Sequence, residues 1–99
     1  MNEEVIKNYE ADFLMFCRLA AMGEIDQLEY IGDISEGIFI ASIRAFKLAA
    51  NQMYFRLEQA APDKYPSISL ECREFIITAN INTIIKERSL NVKKTQPLS

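Results

Sequence analysis

Four carboxylates crowd one short stretch of the chain: Asp26, Glu29, Asp33 and Glu36. A close pair of carboxylates can exchange a proton with a substrate and serve as acid and base. The same four also suit a solvated, helix-capping acidic face around a turn, and the sequence favours that plainer use. A calcium loop needs acids alternating through a frame of about 12 residues, and these do not fit one.

The rest of the usual catalytic equipment is missing. There is no histidine, so neither the commonest general base nor the commonest metal imidazole is available. Two cysteines without histidine cannot close a structural zinc site. The glycines Gly23, Gly32 and Gly37 lack the spacing of a phosphate-cradling loop, and no serine stands in a G-x-S-x-G elbow. The expectation is a protein that is not an enzyme, uses no cofactor or metal of its own and acts by binding.

The candidate binding residues are basic and amide side chains. Arg44, Lys47, Asn51, Gln52 and Arg56 lie at near-helical steps, a set able to face phosphates, a protein partner or simply water. A helix-turn-helix is conceivable upstream, with Leu28, Ile31, Gly32 and Ile38 at workable spacings and a turn over 32–35. Its reading helix would begin Glu36-Gly37-Ile38-Phe39-Ile40. That start is poor in the Arg, Asn and Gln side chains that read base edges.

These residues must be held by helices. The chain has 99 residues, is 49% hydrophobic and 25% charged, and has only 3 Gly and 3 Pro. That is one globular domain with too few turn residues for an all-β fold. The apolar spacing predicts an all-α, compact bundle of about four helices, intertwined as a homodimer. Residues 1–90 form the single helical domain, and 91–99 form a flexible tail made weakly basic by Lys93 and Lys94.

The first helix is expected from Glu3 to Met22. Ile6, Tyr9, Phe13, Phe16, Cys17 and Ala20 make its apolar stripe. Leu14, Met15, Leu19 and Met22 widen the stripe until the second half is apolar almost all round, which calls for burial on more than one side. Phe13, Leu14, Phe16, Cys17 and Leu19 are therefore the candidate dimer or partner interface.

Gly23 is expected to stop this helix, with a short helix over 24–31 and a turn at Gly32-Asp33. Ser35 would cap the third helix, Glu36 to Ala60. Phe39, Ile43, Phe46, Ala50, Met53 and Leu57 give that helix its apolar face. Arg44, Lys47, Asn51, Tyr54 and Glu58 lie along the other side. Pro62 and Pro66 end it. Ser67 or Ser69 then caps a last helix reaching about Arg88, whose β-branched middle could pass for a strand.

The net charge is −3 and the isoelectric point about 4.9. A chain that binds DNA alone carries a basic surface, so contact with nucleic acid would need a partner that supplies the positive charge. No apolar run reaches the roughly 20 residues of a membrane span, and acids stand where a signal peptide has Lys or Arg. The reading is a cytoplasmic protein that does not engage membranes. Cys17 and Cys72 both sit in apolar helical runs, where two core thiols are the plain reading and an interchain disulfide the sharper one.

Several segments together resemble the FlhD family, the smaller subunits of a bacterial transcriptional activator of flagellar genes. They are the opening run Phe13-Leu14-Met15-Phe16-Cys17-Arg18-Leu19, and Ile31-Gly32 followed by Ser35-Glu36. Further on come Lys47-Leu48-Ala49 with Asn51-Gln52 and Phe55-Arg56-Leu57, then an Ile-rich closing helix with a short basic tail. The resemblance spans most of the chain and fits a flagellar or a mobile-element, conjugation-type member. It implies a helical homodimer that joins a larger zinc-binding FlhC-like subunit. That heteromer would activate promoters, with promoter DNA bound only as part of the complex. Neither Cys17 nor Cys72 matches the position of the family's intersubunit cysteine. A second expectation stands beside it: a small helical interaction protein, such as a chaperone, immunity protein or phage-encoded inhibitor, that binds a protein client without DNA.

Overall fold

The computed structural model describes residues 2–29 and 36–95, with side chains over 2–27 and 40–90. Asn2 starts α1 (Glu3–Glu29). Its side-chain oxygen accepts from the Glu4 amide at 2.9 Å, and its carbonyl accepts from Val5 and Ile6. These bonds satisfy first-turn donors that a helix cannot pair internally. Glu3 and Glu4 add charge favourable to that end of the helix dipole.

The helix does not stop at Gly23. It continues to Glu29 and takes in residues 24–29 of the short helix expected over 24–31, so the described residues form three helices instead of four. Gly23 has another role. A Cβ at this position would stand 2.9 Å from Ile43 Cγ1, so the missing side chain is what lets α2 come close. Ala20, Ala21 and Ala50 are fully buried at the same contact. Small residues here allow a tight helix crossing at the expense of some helix propensity at Gly23. The expected turn at 32–35 and the Ser35 cap lie outside the described residues, as do Asp33 and the side chains of Leu28, Glu29, Glu36, Ile38 and Phe39.

The second helix, α2 (Glu36–Ala60), returns antiparallel to α1, pairing Phe13 with Tyr54 at one end and Gly23 with Ile43 at the other. The segment after Ala60 folds back at once, with Lys64 and Tyr65 amides donating to the Ala61 carbonyl. The third helix, α3 (Leu70–Thr95), is capped by Ser69, whose Oγ accepts from the Cys72 amide at 3.1 Å. Its β-branched middle is helical throughout and extends past Arg88 to Thr95. Thr83 and Asn80 return their side-chain donors to the Ala79 and Ile76 carbonyls, keeping them from competing with the helix for other partners. α3 runs parallel to α1, with Arg88 near Met22.

The core joins Phe13, Cys17, Ala20 and Ala21 of α1 to Ala50, Met53, Tyr54 and Leu57 of α2 and to Ile77 and Ile81 of α3. Most helix–helix packing is between α1 and α2, and the α2–α3 contact is the sparsest. The result is long and thin, 51 × 34 × 21 Å, with a radius of gyration of 15.9 Å, against about 13 Å for a compact domain of this length. The accessible surface is 7304 Å², where a compact monomer of this mass exposes about 5,800 Å².

Candidate functional site

The five expected interface residues of α1 do not share one surface. Phe13 and Cys17 point into the chain's own core, 7% and 0% exposed, and Phe16 is half-buried against it. Leu14 and Leu19 stay exposed. At 100° per residue they fall on opposite flanks of the outer face, with Met15 between them. The core therefore takes the heart of the stripe and leaves Leu14, Met15 and Leu19 as an apolar outer surface.

The two thiols also part. Cys17 is buried among core side chains, and burial pushes its thiol up to about 11, which keeps it protonated and unreactive at neutral pH. Cys72 lies exposed on the first turns of α3, so the expectation of two core thiols holds for Cys17 alone. Cys72 stands ahead of Ile77 and Ile81, the α3 residues that reach the core.

The basic and amide candidates are likewise divided by the helix turn. Lys47 pairs with Glu24 of α1 at 3.2 Å. Asn51 turns towards α3, where its Oδ1 accepts from Arg73 Nη1 at 2.8 Å. Arg44 is exposed on the lip of the groove between α2 and α3, and Gln52 and Arg56 are exposed elsewhere on α2. Arg44, Lys47 and Asn51 thus line one groove, and Gln52 and Arg56 lie outside it. The α2–α3 groove, about 470 Å³, has Leu48, Leu70 and Ile77 on its walls and Arg44, Lys47 and Glu74 at its rim.

A polar cluster between α2 and α3 joins Asn51 and Glu58, which the sequence places on the side of α2 away from its apolar face, to Arg73, which sequence reasoning did not single out. Glu58 is 4% exposed and accepts from Arg73 Nε at 3.0 Å. The Arg73 guanidinium also covers the Phe55 ring, 5.6 Å from its centroid. Tyr54, expected beside Glu58 on the polar side, is buried between Phe13 and Tyr65 with both rings edge-on at 5.7 Å. Burial first, then the Glu58 charge, raises its hydroxyl above the usual tyrosine value. Glu58 Oε1 is buried with no hydrogen-bond partner among the described residues. The available signal was the seven-residue step from Asn51 to Glu58, which puts both on one line of α2 for a single arginine to bridge.

A second polar cluster ties the start of α1 to the α2–α3 connection. Lys64 Nζ reaches Glu10 Oε2 at 2.8 Å, and the Tyr65 hydroxyl donates to the same oxygen. Those two bonds hold the Glu10 carboxyl below its ordinary value. Burial, then the bond to Glu10, raises Tyr65. Both clusters fix elements in place, and neither brings a nucleophile and a base together.

Among the described residues no three His, Cys, Asp or Glu side chains converge as metal ligands, and no helix is long and apolar enough to cross a membrane. The arrangement offers apolar helix faces and a groove between α2 and α3, which suit contact with other helices. The chain matches no protein-family model, no curated protein and no solved structure.

Proposed function

We propose that this chain is a non-enzymatic transcription-regulator subunit of the FlhD type. It self-associates, joins a larger zinc-binding partner and contributes to promoter activation only within that complex. The observation that carries the assembly part is surface. The chain exposes 7304 Å², roughly 1,500 Å² beyond a compact monomer of its mass, and Leu14, Met15 and Leu19 are exposed on the outer side of α1. Apolar helix faces of this kind are buried against partners in stable assemblies. The resemblance along the chain supports the regulatory part. So does the net charge of −3, which suits a subunit whose companion supplies the basic groove.

The test is co-purification with the product of an adjoining gene that encodes about twice the length and four clustered cysteines, followed by binding to upstream DNA fragments. A stable complex should shift such DNA, and its affinity should fall as salt rises, because neutralised phosphates release counterions. The chain alone should shift none. A partner that forms the complex yet shows no DNA binding at low salt would defeat the regulatory reading.

The α2–α3 groove favours a second reading, a helical module that binds a protein client without DNA. Leu48 and Leu70 are more than half exposed on its walls, and an amphipathic client helix would fill it. Tight one-to-one binding to a protein, indifferent to nucleic acid, would select that reading over the first.

A further inference from the structure

The groove between α2 and α3 is built like a small-ligand site. Ile77, 2% exposed, forms its floor, and Leu48 and Leu70 stand on its walls. Its volume, about 470 Å³, falls in the range of pockets that hold small molecules, which are largely apolar with a few polar groups that fix orientation. α3 lines it from Leu70 to Thr78, about 12 Å of helix. The charged groups at the rim are not equivalent. Lys47 is engaged by Glu24 of α1. Arg44 on the α2 side and Glu74 on the α3 side line the same groove, yet neither forms an ion pair among the described residues.

We propose that this groove binds a free apolar α-amino acid, with the carboxylate on Arg44, the ammonium on Glu74 and the side chain over Ile77 between Leu48 and Leu70. Charge complementarity selects the occupant. A guanidinium pairs a carboxylate through two parallel N–H donors, and the Glu74 carboxylate accepts from an ammonium. An apolar acid without the amine would set a second negative charge beside Glu74. An apolar amine without the acid would set a second positive charge beside Arg44. A ligand with several negative charges meets the same objection from Glu74. A small molecule that carries one charge of each sign next to an apolar body satisfies both sides of the groove and its floor.

The positions agree. α2 and α3 run antiparallel and Arg73 reaches Asn51, so Arg44, two turns earlier on α2, stands towards Thr78. Glu74 is one turn from Thr78, about 6 Å along α3. The two charges thus approach one end of the groove from opposite sides, and Leu70 lies at the other end, towards which the apolar side chain extends. A bound amino acid joins α2 to α3 where the helices touch least, so binding firms the placement of α3 and stabilises the fold by mass action. This site does not depend on the subunit reading, and its ligand competes with the client helix for the same groove.

The experiment titrates the isotope-labelled full chain with phenylalanine, phenylpropionate and phenylethylamine, which share one ring and differ in charge, and follows the backbone amide shifts. Phenylalanine should bind saturably and shift the amides of Leu48, Leu70 and Ile77. Each singly charged analogue should bind about tenfold more weakly. Arg44→Gln should weaken phenylalanine about tenfold and leave phenylethylamine no weaker. Glu74→Gln should weaken phenylalanine by a similar factor and leave phenylpropionate no weaker. Arg56→Gln, outside the groove, should change nothing. All three side chains are exposed, so the variants should fold, with helical circular dichroism checked for each. Phenylalanine should also raise the melting temperature of the wild type.

No saturable shift with millimolar phenylalanine would overturn the site and leave the subunit reading untouched, since co-purification decides that. Equal binding of the three ligands would overturn it as well, because the two charges would then not be read. A leucine-rich amphipathic helical peptide that shifts the groove amides where phenylalanine does not would give the groove to the client helix.

Discussion

The contact between α1 and α2 and the contact between α2 and α3 use different physics. The first is dry and close. Ala20, Ala21 and Ala50 are fully buried, Gly23 admits Ile43, and Phe13 meets Tyr54 edge-on. The second is sparse and polar, organised by Arg73 bridging Glu58 and Asn51 beside an open groove. Apolar packing tolerates small shifts and derives its stability from area. A buried ion pair adds little net stability but is costly to break, because the surviving charge has nowhere to go. The hairpin of α1 and α2 is thus the stable unit, and Arg73 fixes where α3 sits on it.

The strongest way to break that contrast is Arg73→Met. It leaves Glu58, side chain 1% exposed, as a buried carboxylate without its cation, and should cost about 3–5 kcal/mol in urea unfolding. Adding Glu58→Leu should recover most of the loss, since an apolar pair of similar volume often equals or exceeds a buried salt bridge. A loss below about 1 kcal/mol for the single variant would mean that Glu58 is reached by solvent and that the two contacts do not differ in kind.

The dry contact has its own test. Leu57 is 1% exposed in the core that α2 shares with α1, and Leu57→Ala should cost about 3 kcal/mol through lost transfer energy and the cavity left behind. Unlike Arg73→Met, no second substitution restores it simply by removing a charge. If the change were nearly neutral, the α1–α2 packing would be loose, and the hairpin could not be the stable unit.

Gly23→Val separates two explanations of one glycine. If Gly23 only weakened a long helix, any side chain would help by up to about 1 kcal/mol. Because its Cβ position lies 2.9 Å from Ile43 Cγ1, a valine must push α1 and α2 apart, and the expected cost is about 2 kcal/mol in thermal or urea unfolding. A stabilised variant would show that the helices do not approach so closely.

That glycine also marks the limit of what the sequence disclosed. The all-helical class, the span of α2 and its inward face of Ile43, Ala50, Met53 and Leu57 were legible, because they are statements about periodicity. Ser69 as a cap was one of two readable choices. Gly23 was not legible, since a helix stop and a close crossing both ask for the same residue, and only Ile43, twenty residues on, decides between them. Tyr54 and Glu58 misled for a related reason. Polar types suggest solvent, yet a tyrosine packed edge-on between aromatics and a glutamate met by Arg73 are stable inside. The candidate interface suffered most. A helix that is apolar nearly all round announces two burials but not which residues serve which, so Phe13 and Cys17 went to the core while Leu14 and Leu19 stayed outside.

The smallest effect lies at the periphery of both contacts, where Glu10 accepts from Lys64 and Tyr65 and anchors the connection that leads into α3. Folding lowers the Glu10 carboxyl below its ordinary value of 4.5, through the Lys64 bond first and the Tyr65 bond second. A lowered folded-state value means that the unfolded chain takes up the proton first. The stabilisation is therefore fully present above the unfolded value and is lost as pH falls through the folded one. Lys64 is largely solvated, with a side chain 65% exposed, so screening keeps the contribution to about 0.5–1 kcal/mol. Glu10→Gln should be less stable than the wild type by that amount at neutral pH, and the gap should close below about pH 4 as the carboxylate protonates. A gap that persisted unchanged into acid would assign the effect to the shape of the side chain rather than its charge. The anchor of α3 would then be steric at this end and ionic only at Arg73.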